Sequence, residues 1–269
     1  MKIKNIIYDL FKNKKSNYQN IIYDIGANDG NDSDYYLKKG FKVVAIEANP
    51  VLCDQLRERF SKEIKEKTFF LAECAIAEKP GEVILYVNKG NHHWSSIIQV
   101  HGERLTGAVP VKVQAVTLDQ LIIKHGKPYY VKIDLEGLDF TALKQLSSLD
   151  RGLIPRYVSV EGGGPPMLKV MDQLGYKSFN VADQSKVHEI RLPDPAREGV
   201  YVDYKFRGGS SGPFGDELLG DWITLDEAIE NRNALAAARL KINETISDPH
   251  ERQQEQGKLG WFDVHARLY

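Results

Sequence analysis

Asn20-Ile21-Ile22-Tyr23-Asp24-Ile25-Gly26-Ala27-Asn28-Asp29-Gly30 opens the stretch that decides the fold, and Lys39-Gly40-Phe41-Lys42-Val43-Val44-Ala45-Ile46-Glu47-Ala48-Asn49-Pro50 closes it. The apolar run Ile21-Ile22-Tyr23 has the composition of a buried parallel strand. It ends at Asp24 and breaks into the Gly26–Gly30 turn. A polar, Tyr-bearing helix then runs to Lys39, where Gly40 stops it. Val43-Val44-Ala45-Ile46 is a second buried strand and delivers Glu47 at its carboxyl end. This is one βαβ half-unit, and ligands of open α/β sheets bind outside such strand ends. Further strands at Thr68–Leu71, Tyr129–Asp134 and Arg156–Glu161 extend the pattern. The expected class is therefore α/β: a doubly wound, mostly parallel sheet.

A dinucleotide-binding turn requires G-x-G-x-x-G, whose middle glycine admits the pyrophosphate to a helix N-terminus. Asn28 stands in the middle position here, and Asp24 just before the turn repels phosphate. An acidic turn suits a cationic or zwitterionic ligand, and S-adenosylmethionine, with its sulfonium and amino acid end, is such a ligand. Glu47 is placed to accept from both ribose hydroxyls. The Gly26-Ala27-Asn28-Asp29-Gly30 turn and Glu47-Ala48-Asn49 are thus candidate cofactor contacts. Past the third strand, Glu73-Cys74-Ala75 is placed to meet an adenine, although an ordinary loop acid reads the same way.

The chemistry-bearing residues come later. Tyr129-Tyr130-Val131-Lys132-Ile133-Asp134-Leu135-Glu136-Gly137 brings a buried strand to its end in two acids beside the cofactor crevice. Asp134 and Glu136 there can take a proton from a substrate hydroxyl, or hold a divalent cation such as Mg²⁺. Helix capping is the plainer role and accounts for only part of the pattern. The next strand ends in Glu161, a partner for Asp134 across the crevice or a joint metal ligand. On the polar loop Asn91–Ile97, His92 and His93 are candidates for a general base or for contacts to a hydroxylated substrate, and equally read as surface residues. They lack the spacing of a zinc site. Glu82–Val87 and Val111–Val116 alternate like strands, and Thr117 caps the helix that follows. Tyr176–Phe179 and Tyr201–Phe206 are expected to close the sheet as an antiparallel edge hairpin.

The 269 residues carry a net charge of −1, which offers no general attraction to nucleic acid or an anionic membrane. Cys53 and Cys74 are too few for a disulfide framework, and no apolar run reaches membrane-spanning length. The expected location is cytoplasmic. Residues 1–19 read as a short amphipathic helix, 20–206 as the main domain, and 207–269 as a lid loop, a helix and a packed tail. Thr224 and Glu227 form a capping box for a helix from Leu225 to Ile246. The alanine-rich face of that helix offers a possible homo-oligomer contact. His265, near the end, is expected to anchor the tail by burial.

Together, Tyr23–Gly30, Glu47-Ala48-Asn49-Pro50, Thr117-Leu118-Asp119, Lys132–Gly137 and Val160-Glu161 occur in the order seen in the FkbM methyltransferase family. The sequence resembles that family from about Asn20 to Lys177. Glu-Ala-Asn-Pro stands where Glu-Pro-x-Pro is commoner. The resemblance implies a class I, Rossmann-like methyltransferase fold with a seven-stranded sheet, using S-adenosylmethionine. It implies that Asp24, Gly26, Asn28 and Gly30 line the methionine end, that Glu47 binds the ribose, and that Asp134 and Glu136 face the reaction centre. It further implies a small-molecule or glycan acceptor methylated on a sugar hydroxyl, with a peptide side-chain amide as the alternative. A nicotinamide-dependent nucleotide-sugar oxidoreductase is the runner-up on the same fold.

Overall fold

The computed structural model describes residues 20–268, so the helix expected within residues 1–19 lies outside the described residues. Ten strands are numbered in chain order: β1 (Ile21–Ile25), β2 (Lys42–Glu47), β3 (Phe69–Glu73), β4 (Ala75–Ile76), β5 (Gly81–Asn88), β6 (Ala108–Val116), β7 (Tyr130–Ile133), β8 (Tyr157–Glu161), β9 (Ser178–Asp183) and β10 (Phe262–Arg267). Seven of them form one sheet in the order β3-β2-β1-β7-β8-β10-β9. The pairs from β3 to β8 are parallel, whereas β10 runs antiparallel to both neighbours. Every residue of β1 and β7 is buried, as expected of parallel strands covered on both faces.

One face of the sheet packs Tyr23, Ile25, Val44, Val131 and Val158 against Leu121, Leu143 and Met171 from the covering helices. The other face packs Ile22, Val43, Tyr130 and Tyr157 against Tyr35, Tyr36 and Phe214. Phe214 comes from an irregular segment and stacks on Tyr130 with ring centroids 4.6 Å apart. That segment is pinned by the fully buried pair of Lys39 Nζ and a Glu217 carboxylate oxygen at 2.8 Å. The same oxygen accepts from the backbone of Arg197 and Glu198. A stretch whose glycines suggest a free loop is therefore fixed as part of the core.

The antiparallel edge is built differently from the expected hairpin. Tyr201–Phe206 forms no strand. Its alternating aromatics, Tyr204 and Phe206, pack on Tyr35 at 5.1 and 4.8 Å. β10 takes the place in the sheet instead, because there its backbone bonds to β8 on one side and β9 on the other. The segment after residue 206 is thus woven into the sheet. Glu82–Val87 and Val111–Val116 pair with each other in a separate three-stranded sheet of order β4-β6-β5. The capped helix is present from Leu225 to Thr245 with its Thr224–Glu227 box. His265 lies buried in β10, where desolvation pushes its imidazole down to about 3. No helix among the described residues is long and apolar enough to cross a membrane.

Candidate active site

The carboxyl ends of β1, β2, β7 and β8 surround a cavity of about 510 Å³. Its floor depends on a backbone contact that a glycine alone permits. Gly26 has φ +81°, and a Cβ there would lie 1.9 Å from the Asp134 carbonyl oxygen. The loops after β1 and β7 therefore touch directly. Gly26 and Ala27 both donate their N–H to the Ile46 carbonyl at 3.0 Å, which ties the same loop to β2. Asn28, at φ +51°, turns its N–H onto Glu47 Oε2 at 2.8 Å. The other Glu47 oxygen accepts from the amides of Ala48 and Asn49 at 3.0 and 2.8 Å. The Glu47 carboxylate is thus held by three amides rather than free, with lone pairs left over for a ligand. Burial pushes it up, and the three amides pull it back down.

At the centre lies a residue that the sequence reading passed over. Lys132 Nζ sits 3.5 Å from Asp24, 3.2 Å from Asp32 and 3.3 Å from Asp134, with only 5% of its side chain exposed. Burial opposes its charge, but the surrounding carboxylates hold its pKa well above the ordinary lysine value. Asp24 is wholly buried and takes a hydrogen bond from Ser33 Oγ at 2.6 Å. Desolvation drives it up to about 6 against the pull of Lys132. Asp32 also accepts from the Ser211 N–H at 3.1 Å, which attaches the segment carrying Gly208 and Gly209 to the cavity rim. A lysine inside an otherwise apolar strand was the available signal: a buried ammonium must be paired.

Asp134 and Glu161 meet across the crevice and share a hydrogen bond, and burial followed by the Asp134 charge pushes Glu161 up to about 10. Glu161 therefore carries the proton of the pair at neutral pH. Glu136 lines the cavity at φ +44°, its carboxylate engaged by Arg104 Nη2 at 2.6 Å. Arg104 lies over the Trp94 ring, 5.4 Å from its centroid. His92 and His93 stack at 4.5 Å and both face the cavity. His93 Nδ1 is 3.1 Å from Asn28 Nδ2, and burial followed by the neighbouring His92 lowers its pKa, leaving a neutral ring.

Gly26, Ala27, Asn28, Asp29, Glu47, Ala48, Cys74 and Ala75 all line this space together with Asp134, Glu136 and Glu161. Other candidates stand outside it. Glu73 is half exposed and paired with Arg57 at 2.8 Å. Asn49 caps the next helix by accepting from the Val51 N–H at 3.1 Å. Gly30 packs against Leu56 and Phe60, and Asp24 supports the site from beneath through Lys132. The suggestion that Asp134 and Glu161 jointly hold a metal finds no support. Among the described residues no group of three or more His, Cys, Asp or Glu side chains is arranged to bind one. Lys132 is the cation beside Asp134.

A family model described as the methyltransferase FkbM domain matches residues 24–178, more than half of the chain. No curated protein matches. Among solved structures, a methyltransferase FkbM from Methylobacillus flagellatus KT is 17% identical over 59% of this chain and 35% of its own, with a TM-score of 0.37. This chain therefore spans about a third of that protein's length. A precorrin-6y C5,15-methyltransferase from Geobacter metallireducens is 11% identical over 68% of this chain and 77% of its own, with a TM-score of 0.36. A phosphoethanolamine N-methyltransferase from Haemonchus contortus, solved with S-adenosyl-L-methionine, is 8% identical over 98% of this chain and 52% of its own, with a TM-score of 0.37.

Proposed function

The chain belongs to the FkbM methyltransferase family, and from that premise we propose that it methylates a sugar hydroxyl of a polysaccharide, glycoconjugate or natural product in the cytoplasm. One observation carries the reading: an ionisable Asp134 carboxylate lines the same cavity as the Gly26–Glu47 cofactor loops and is steadied there by Lys132 and Glu161.

The residues fit S-adenosylmethionine. Gly26 seats the loop after β1 against the Asp134 backbone at the cavity floor, and the carboxylates of Asp29, Asp32 and Glu47, which line the cavity, favour a cationic ligand. Asp29, Asn28 and the Gly26–Ala27 backbone would hold its amino acid end, Glu47 its ribose, and Cys74, Ala75 and Ile76 the face of its purine. When bound, it supplies an electrophilic methyl group on a sulfonium. The protein's part is placement first, because holding a nucleophile in line replaces an encounter from solution. A sugar hydroxyl is a poor nucleophile at neutral pH. Asp134 takes its proton, a contribution of roughly 10²–10⁴-fold for a positioned base. Lys132, 3.3 Å away, holds the Asp134 carboxylate in place for that task. Glu161 keeps its proton and orients Asp134 through the hydrogen bond it donates. His93, neutral and close to Asn28, borders the acceptor side.

Calorimetric titration of the full chain with S-adenosylhomocysteine, set against NAD, tests the reading. Micromolar binding of the thioether alone is expected; binding of NAD alone would overturn it. Methylated product from a panel of hydroxylated and amide acceptors then identifies the acceptor.

A further inference from the structure

We infer that Asp263, on β10, is a positioning residue that keeps the shared proton of the Asp134–Glu161 pair on Glu161. Asp263 lies directly opposite Glu161 in the antiparallel β8–β10 ladder. Residues so opposed point to the same face with adjoining side chains. Asp263 is 3% exposed, and its Oδ1 finds no hydrogen-bond partner among the described residues. Its Oδ2 accepts from Gln184 Nε2 at 3.1 Å, and Gln184 is itself buried, its N–H held by the Trp261 carbonyl at 2.6 Å. None of these three residues falls within the span matched by the family model.

The charged groups facing this cluster come from every neighbouring element. Asp134 and Glu136 follow β7, Lys132 lies within it, Asp32 comes from the helix Asn31–Lys38, and Arg232 from the helix Leu225–Thr245. Among the described residues, Lys132 is the ammonium paired with Asp134, and it also serves Asp24 and Asp32. Asp134, Glu161 and Asp263 therefore cannot all be ionised together. Gln184 decides between them: its N–H donates to Asp263 and favours the carboxylate there. Burial, then Asp134, pushes Asp263 up to about 7, well below the value of about 10 at Glu161. The charge on Asp263 across the ladder then keeps the proton on Glu161, which donates a hydrogen bond to Asp134. Asp134 is the member that lines the cavity beside Lys132.

The inference deepens the methyltransferase reading and rests on it for the task of Asp134. Its test does not need turnover. The full chain, labelled with carboxyl-¹³C glutamate and bound to S-adenosylhomocysteine, is titrated from about pH 6 to about pH 10, with the Glu161 signal assigned by its loss in Glu161→Gln. Glu161 is expected to stay protonated beyond about pH 8. In Asp263→Asn its midpoint falls by about one pH unit or more, the removal of one close like charge. Asp263→Ala, which removes the same charge without introducing an amide, moves the Glu161 midpoint the same way and decides the matter if Asp263→Asn does not fold. An unmoved midpoint in a folded variant overturns the inference, as does a Glu161 already ionised at neutral pH in the native chain. A purely structural role would lower the melting temperature and leave the midpoint where it is. If S-adenosylhomocysteine does not bind, the methyltransferase reading fails, and the same titration on the unliganded chain still decides the role of Asp263.

Discussion

Replacing Lys132 with methionine removes the ammonium from among Asp24, Asp32 and Asp134 at nearly constant volume. Breaking a buried ion pair from one side costs about 3–5 kcal/mol, because the charges left behind have no partner. The cost here depends on pH with a defined sign. Asp24 titrates at about 6 in the folded chain against an ordinary 3.8. The folded state therefore binds the extra proton between those values, and stability falls as pH rises through that window. The interval is worth about 3 kcal/mol, and it exists even with Lys132 pulling Asp24 downward. Without the lysine, Asp24 titrates higher still and the loss on raising pH becomes larger. Urea unfolding of Lys132→Met is expected to show the full deficit near pH 8, a midpoint lower by on the order of 1–2 M. Much of the deficit should disappear near pH 5, where the stranded carboxyls can protonate. An equal deficit at both pH values would mean that Lys132 contributes packing rather than charge, and no deficit would refute its place at the hub.

Three further outcomes follow from the geometry. Gly26→Ala places a methyl onto the Asp134 carbonyl and a side chain at positive φ. It should lose at least about 2–4 kcal/mol from left-handed backbone and overpacking together, read as a lower melting temperature; an unchanged melting point would deny the contact. Glu47→Gln turns an amide NH₂ towards at least one of the three N–H groups that now donate to it, leaving a buried donor unmatched at about 1–3 kcal/mol. Calorimetry should show S-adenosylhomocysteine bound roughly 5- to 100-fold more weakly, and undiminished affinity would remove Glu47 from the ribose. Asp134→Asn should cut methyl transfer by roughly 10²-fold or more while product binding stays within a few-fold; joint loss of both would reassign Asp134 to the cofactor pocket.

What the sequence disclosed depended on how local the signal was. β1, its turn and β2 were legible because strand, glycine and acid are contiguous, and Asp134 and Glu161 because each closes an apolar strand. Lys132 was hidden by the same logic. One charged residue in an otherwise apolar strand signals a buried pair without naming its partners, and only the fold shows Asp24, Asp32 and Asp134 converging on it. Phe262-Asp263-Val264-His265-Ala266-Arg267 escaped notice as a strand for a related reason. Its alternate residues Asp263 and His265 look like an exposed face, yet both are buried. Tyr201–Phe206 offered a better strand pattern, but its aromatics satisfy Tyr35 instead of a sheet. Glu73 was misplaced because a one-dimensional reading cannot tell which side of a strand end faces the crevice.

The position of β10 also bears on how the molecule is made. The strand filling the gap between β8 and β9 is the last in chain order among the described residues. During synthesis β9 has no sheet neighbour until residue 267 has left the ribosome, and β8 meanwhile presents an unpaired edge, the kind of surface that recruits other chains. Maturation of the site is consequently a late event. A nascent chain that ends before Gly260 lacks Trp261, which lines the cavity, and Asp263, which stands opposite Glu161. Translation speed over the codons of β10 then sets how long that exposed edge persists.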